Sequence, residues 1–225
     1  MASSILRRVL GLFYHAAGKF EGLHGMATKY ICPRITSGMM AIDIGADIGY
    51  YTLLFAKRVR KLGRVIAFEP IPSAIKMLER NIRLNNYGNV TVCDFALFST
   101  NGSVILESPR DLSRIKPGKI SHETNGIEIQ TRVFDECVPE LDIQKIDLVK
   151  IDVEGAELDV LRGMRRSLEK YHPALLVEVH PNGLVHFNYR PEDLLEFLKD
   201  MKYYPRPVDQ PALDFKNGNV TIYCV

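Results

Sequence analysis

The chain has 225 residues, 46% hydrophobic and 25% charged, which suits a single soluble α/β domain with a sizeable core. Its formal net charge of +2 gives no whole-chain case for nucleic acid or an acidic surface as partner. No run approaches the roughly 20 apolar residues that a membrane-spanning helix needs.

In the N-terminal stretch, Ile5, Val9, Leu12, Phe13, Ala16 and Phe20 fall at helical spacing behind Arg7 and Arg8. This predicts a helical extension over residues 1–35, packed on the domain. The alternative is a helix that meets a membrane surface or a partner. Residues 36–225 read as one domain. From residue 39, apolar strand runs alternate with amphipathic helices, the pattern of βαβ units and a doubly wound, mostly parallel sheet. Strands are expected at Met39–Ile44, Arg64–Phe68 and Asn89–Phe95, with helices at Tyr50–Lys61 and Pro72–Asn86. Over residues 98–133 the rhythm changes. Ser103–Glu107 and Ile127–Val133 alternate as half-buried strands do, and the polar stretch between them predicts a hairpin-like insertion with a mobile tip. Its Arg110, Arg114, Lys116, Lys119 and His122 are expected on a solvated loop, with a lid for an anionic acceptor as the alternative. Further strands are expected at Ile146–Ile151, Ala174–Val179 and Val220–Val225, and helices at Ala156–Tyr171 and Pro191–Met201. The cysteines Cys32, Cys93, Cys137 and Cys224 form no C-x-x-C pair or zinc-ligand spacing, so a reducing, cytoplasmic setting is expected.

The strongest chemical signal is the run Asp43, Gly45, Ala46, Asp47, Gly49, Tyr50, Tyr51, Thr52. It follows a buried strand and opens a helix, where open parallel sheets bind ligands. A dinucleotide site would want a first glycine where Asp43 stands, because a pyrophosphate is repelled by acids. Acids suit a ligand that presents an ammonium, a sulfonium or hydroxyls, so S-adenosylmethionine is the expected cofactor rather than NAD. Glu69, followed by Pro70, closes the next strand, where a carboxylate can accept from both ribose hydroxyls. Asp94, Phe95 and Ala96 close the third strand, with an acceptor for an adenine amino group and a ring to pack on the base.

These runs, with Ile151-Asp152-Val153-Glu154-Gly155-Ala156-Glu157, Val160-Leu161-Arg162-Gly163 and Leu176-Val177-Glu178-Val179-His180, resemble the FkbM family of methyltransferases from about residue 35 to 180. The resemblance implies a class I methyltransferase sheet with six parallel strands and one antiparallel, helices on both faces, and O-methylation of a small molecule or glycan. The family usually carries Asn where this chain has Asp47, which keeps the acceptor oxygen and adds charge.

Lys150 and Asp152 share one strand face, as do Glu178 and His180, so with Glu154 they are expected at the sheet's carboxyl edge near the transferred methyl. Such buried charges are either paired, for example Lys150 with Glu178, or functional. Asp152, Glu154 and His180 are the candidate bases, His180 because its ordinary pKa lies near neutrality. Methyl transfer needs no metal, so none is expected. Asp152, Glu154, Glu178 and His180 could hold a hard cation, but nothing in their spacing demands it. The competing readings are an N-methyltransferase on protein or RNA, a non-catalytic S-adenosylmethionine-binding protein, and a nicotinamide oxidoreductase.

Overall fold

The structure is a computed structural model that describes residues 29–106, 115–116, 127–208, 210–216 and 218–225. Contacts group the chain into two units, Met1–Arg34 and Ile35–Val225. In the first, the described residues include the 3-10 turn Cys32–Arg34, where Arg34 donates to the Tyr30 carbonyl. The amphipathic stripe from Ile5 to Phe20 lies outside the described residues, as do Arg110, Arg114, Lys119 and His122 of the insertion.

In the second unit, β1 (Met40–Ile44), β2 (Arg64–Phe68) and β3 (Val90–Cys93) alternate with α1 (Tyr50–Val59) and α2 (Pro72–Leu84). After the insertion come β8 (Leu148–Ile151), β9 (Ala174–Val179), β10 (Arg206–Pro207) and β11 (Val220–Cys224). They form one seven-stranded sheet in the order β10-β11-β9-β8-β1-β2-β3. The pairs β1/β2, β2/β3, β1/β8 and β8/β9 are parallel, whereas β11 runs antiparallel to both β9 and β10. Six strands therefore point one way and β11 the other. Strands β1 and β8 are buried at every position, as continuous apolar runs are when both faces of a parallel sheet are covered.

The helices follow local chemistry. Pro72 and Pro191 open α2 and α7 (Pro191–Asp200), where a missing N–H costs nothing. On α2 the buried residues are Ala74, Leu78 and Ile82, one stripe at helical spacing, while Leu84 is exposed. On α7 they are Leu194, Phe197 and Leu198. Cys93, Cys137 and Cys224 are buried free thiols.

The insertion builds a second sheet, in the order β4-β7-β5-β6. Its members are β4 (Ala96–Leu97), β5 (Gly102–Leu106), β6 (Ile115–Lys116) and β7 (Ile127–Arg132). Strands β5 and β7 pair antiparallel with Gly102 opposite Thr131 and Leu106 opposite Ile127.

One expectation needs correction, and two short helices were not foreseen. The helix expected over Ala156–Tyr171 is two, α4 (Glu157–Gly163) and α5 (Arg165–Tyr171). The break falls where Gly163 meets the backbone after β4: a Cβ there would lie 2.2 Å from the Phe98 carbonyl oxygen. The new helix start is capped from elsewhere, because Asp135 accepts from the Arg166 and Ser167 amides at 2.8 and 2.9 Å. Asp135 lies on α3 (Phe134–Glu140), a seven-residue helix the sequence reading left out. The short α6 (Pro181–Leu184) follows β9 directly and was also left out.

Candidate active site

The carboxyl ends of β1, β2 and β8 carry the site. After β1 the chain bends at Gly45, whose φ of +73° lies in the left-handed region, and the Gly45 and Ala46 amides both donate to the Phe68 carbonyl at the end of β2. A side chain at Gly45 is excluded on a second count: a Cβ would sit 1.8 Å from the Asp152 carbonyl oxygen. Asp47 is also left-handed, at φ +47°, a conformation that Asn and Asp tolerate better than other side chains. Its backbone matters most: the Asp47 amide donates to Glu69 Oε2 at 2.8 Å, while its side chain is exposed.

Glu69 is the best-fixed acid of the cleft. Its Oε1 accepts from the Ile71 amide at 2.9 Å, so each carboxylate oxygen is held by one backbone N–H and keeps a lone pair for a ligand hydroxyl. Burial raises its pKa, against those two hydrogen bonds.

A cleft runs from Glu69 to Glu154. Of the expected cofactor residues, Gly45, Glu69, Pro70, Phe95 and Ala96 line it. Phe95 is set edge-on to Phe68 at 5.6 Å, with the Arg132 guanidinium 4.9 Å from its ring centre. Ile71 and Phe98 also line the slot, as do Val104 and Thr131 of the second sheet. The sequence reading missed these four. Val104 and Thr131 lie on alternating strands that said "half-buried" but could not say against what.

Other expected contacts lie outside the cleft lining. Asp43 and Thr52 are fully buried beneath the bend, with the Thr52 hydroxyl donating to Asp43. Tyr51 is buried edge-on to Tyr50, so these side chains support the bend. Asp94 is exposed at its strand tip, and the following Phe95 takes the cleft side. Beside Asp43 stands Lys150, itself 4% exposed. Its ammonium donates to the Gly45 carbonyl at 2.8 Å and lies 3.4 Å from both Asp43 and Asp152. Burial works against that charge, but the neighbouring Asp152 and Asp43 outweigh it and raise the Lys150 pKa. Lys150 thus forms ion pairs with Asp43 and Asp152.

Asp152 and Glu154 line the far end of the cleft. Behind them His180 Nε2 lies 3.4 Å from Glu154, 3.7 Å from Asp152 and 3.7 Å from Glu178. Its Nδ1 is 2.8 Å from Glu157 Oε1, which also accepts from the Gly155 amide. Gly155, at φ +118°, packs so tightly that a Cβ would lie 2.3 Å from the Gly183 backbone, which locks this loop against α6. Burial opposes a charge on His180, but the Glu157 hydrogen bond and the carboxylates of Glu157, Asp152 and Glu154 push its pKa up to about 9. In the absence of a bound cation, the His180 pKa therefore lies above the near-neutral value its residue type suggests. Burial and the Asp152 charge push Glu178 up to about 7. The spacing of the sequence brought Lys150, Asp152, Glu178 and His180 together correctly, but Glu157 went unnoticed.

This sheet order with one reversed strand, and an acid-tipped cleft beside a glycine bend at its carboxyl edge, define a class I methyltransferase. Fibrillarin from Aeropyrum pernix, solved with natively bound S-adenosyl-L-methionine, has the same fold, with a TM-score of 0.51 at 14% identity over 85% of this chain and 68% of that one. Residues 43–205 match the Methyltransferase FkbM domain, and the chain belongs to that family. The hexuronic acid methyltransferase AglP of Haloferax volcanii is 30% identical over 71% of this chain and 61% of its own length. The 2-O-methyltransferase NoeI of Sinorhizobium fredii is 26% identical over 57% of this chain and 58% of its own. The chain thus spans about six-tenths of the length of these relatives. No helix among the described residues is long and apolar enough to cross a membrane.

Proposed function

We propose that this methyltransferase uses S-adenosylmethionine to methylate a hydroxyl of a sugar or other small polyol. The observation that carries the reading is Glu69. Its carboxylate is clamped by two backbone amides at the mouth of a slot that continues, past a bend too tight for any side chain, to Asp152 and Glu154. The donor set fits the nucleoside: Glu69 offers an acceptor lone pair on each oxygen for the ribose, Phe95, Ile71 and Phe98 offer apolar walls for the base, and Asp152 faces the cationic end. When bound, S-adenosylmethionine supplies a methyl group already activated on a positively charged sulfur.

The chain's own work is positioning and proton removal. Fixing the acceptor in line with the methyl supplies much of the rate. The acceptor's proton passes to the Asp152–Glu154 carboxylate pair, the acids that line the cleft at that end. Lys150 holds Asp152 from behind while it fixes the Gly45 carbonyl. The relatives named for a hexuronic acid and for 2-O-methylation support an oxygen on a sugar as the acceptor class.

A labelled-methyl transfer screen against neutral, acidic and amino sugars tests the reading, with binding of S-adenosylmethionine and S-adenosylhomocysteine measured by calorimetry. Label transferred to a sugar oxygen is the expected result. A protein that binds neither nucleoside refutes the proposal. One that binds both nucleosides, and transfers label to protein or RNA but to no sugar, moves the acceptor to those classes.

A further inference from the structure

We propose that Asp152, Glu154 and His180 form a divalent-cation site, of the Mn²⁺ or Zn²⁺ type, at the acceptor end of the cleft. One donor atom from each residue lies within 4.8 Å of the other two. From His180 Nε2 the carboxylate oxygens stand at 3.4 and 3.7 Å, beyond the roughly 2.7–3.2 Å of a good N–H···O hydrogen bond. Ligands that share an ion at about 2.0–2.2 Å stand roughly 3.0–3.5 Å from one another. His180 is therefore spaced from the two carboxylates nearer to ligands around a common centre than to partners of a direct hydrogen bond.

A second observation comes from outside the trio. Glu157 is fully buried on α4 and directs Oε1 at His180 Nδ1, while its Oε2 has no hydrogen-bond partner among the described residues. A buried, half-satisfied carboxylate is costly unless positive charge lies within reach. A cation bound between the ring and the two carboxylates displaces the Nε2 proton, so that the remaining proton sits on Nδ1 toward Glu157 and the Nε2 lone pair faces the ion. That is the arrangement in which an outer carboxylate orients a metal-binding histidine. One imidazole with two carboxylates suits Mn²⁺ or Zn²⁺ better than a soft thiophilic ion. Because Asp152 and Glu154 also line the cleft, an ion there reaches an acceptor oxygen, where it lowers the pKa of a bound hydroxyl. That last consequence rests on the proposed transfer reaction, whereas the ion site itself does not.

The test titrates MnCl₂ and, separately, ZnCl₂ into the full chain, followed by calorimetry and, for Mn²⁺, by loss of the free-ion EPR signal. S-adenosylhomocysteine binding is measured in parallel. One saturable site per chain is expected, tighter than about 1 mM, the weak end of carboxylate cation sites. Glu154→Gln removes a ligand and weakens it at least about tenfold; Glu157→Gln, which touches no ion, weakens it by roughly 10–100-fold. The partly exposed Glu154 position makes the first variant decisive if the second fails to fold. No saturable site for either ion, or unchanged affinity in Glu154→Gln, overturns the proposal. Cation binding without nucleoside binding would sink the transfer reading and leave this one standing.

Discussion

At the scale of single residues, the site is held by groups that have no alternative. Gly45 combines a positive φ with a neighbour where its Cβ would be, so Gly45→Ala must push the β1 and β8 ends apart. Loss of nucleoside binding in calorimetry is expected, together with a lower melting temperature. Glu69→Gln is nearly isosteric, yet both Glu69 oxygens accept backbone N–H groups, so an amide nitrogen must face an amide donor. A charged hydrogen bond is worth about 1.5–3 kcal/mol, so affinity for S-adenosylhomocysteine should fall roughly 10- to 150-fold. Lys150→Met leaves the fully buried Asp43 without its cation, at a cost of about 3–5 kcal/mol. At roughly 2–4 °C per kcal/mol for a chain of this size, thermal melting should drop by about 6–20 °C. Adding Asp43→Asn should recover part of that loss; no recovery would mean that the pairing with Asp43 is not what Lys150 stabilises.

At the scale of elements, the repeating units were legible and the interruptions were not. Strands β1, β2, β8 and β9 are continuous apolar runs, and α2 and α7 carry one stripe each, so period and composition place them. The break between α4 and α5 depends on a contact between Gly163 and Phe98, far away in sequence. The cap that restarts α5 comes from Asp135, about thirty residues upstream. Local pattern carries no information about either partner. The α3 helix is too short and interrupted by Pro139 for its spacing of Phe134 and Cys137 to stand out. Asp135→Ala should cost about 1 kcal/mol of stability in denaturant unfolding, the usual worth of an N-terminal cap. An unchanged midpoint would show that the α5 start is held by packing alone.

For the whole molecule, the central consequence is linkage between ligand and stability. A ligand that binds only the folded chain at a hundred times its Kd adds about 2.7 kcal/mol. S-adenosylmethionine at that level should raise the melting temperature by roughly 5–11 °C, while NAD at equal concentration should leave it unchanged. A shift with NAD instead would revive the dinucleotide reading that Asp43 argues against.

By itself the sequence determined the alternation of strands and helices, the glycine bend, and the acids at three strand tips. These depend on period two, period 3.6 and the conformational freedom of glycine, all properties of neighbours along the chain. Only the tertiary structure decided which acids reach the cleft and which lie beneath it. It buried Asp43 under the bend with Lys150, turned Asp152 and Glu154 toward the cleft, closed the slot with Val104 and Thr131, and set Glu157 behind His180. Those outcomes depend on how strands far apart in sequence are brought side by side. Burial and charge at a point in space sum over all the elements that meet there, so they also shifted His180 away from the titration its residue type alone suggests.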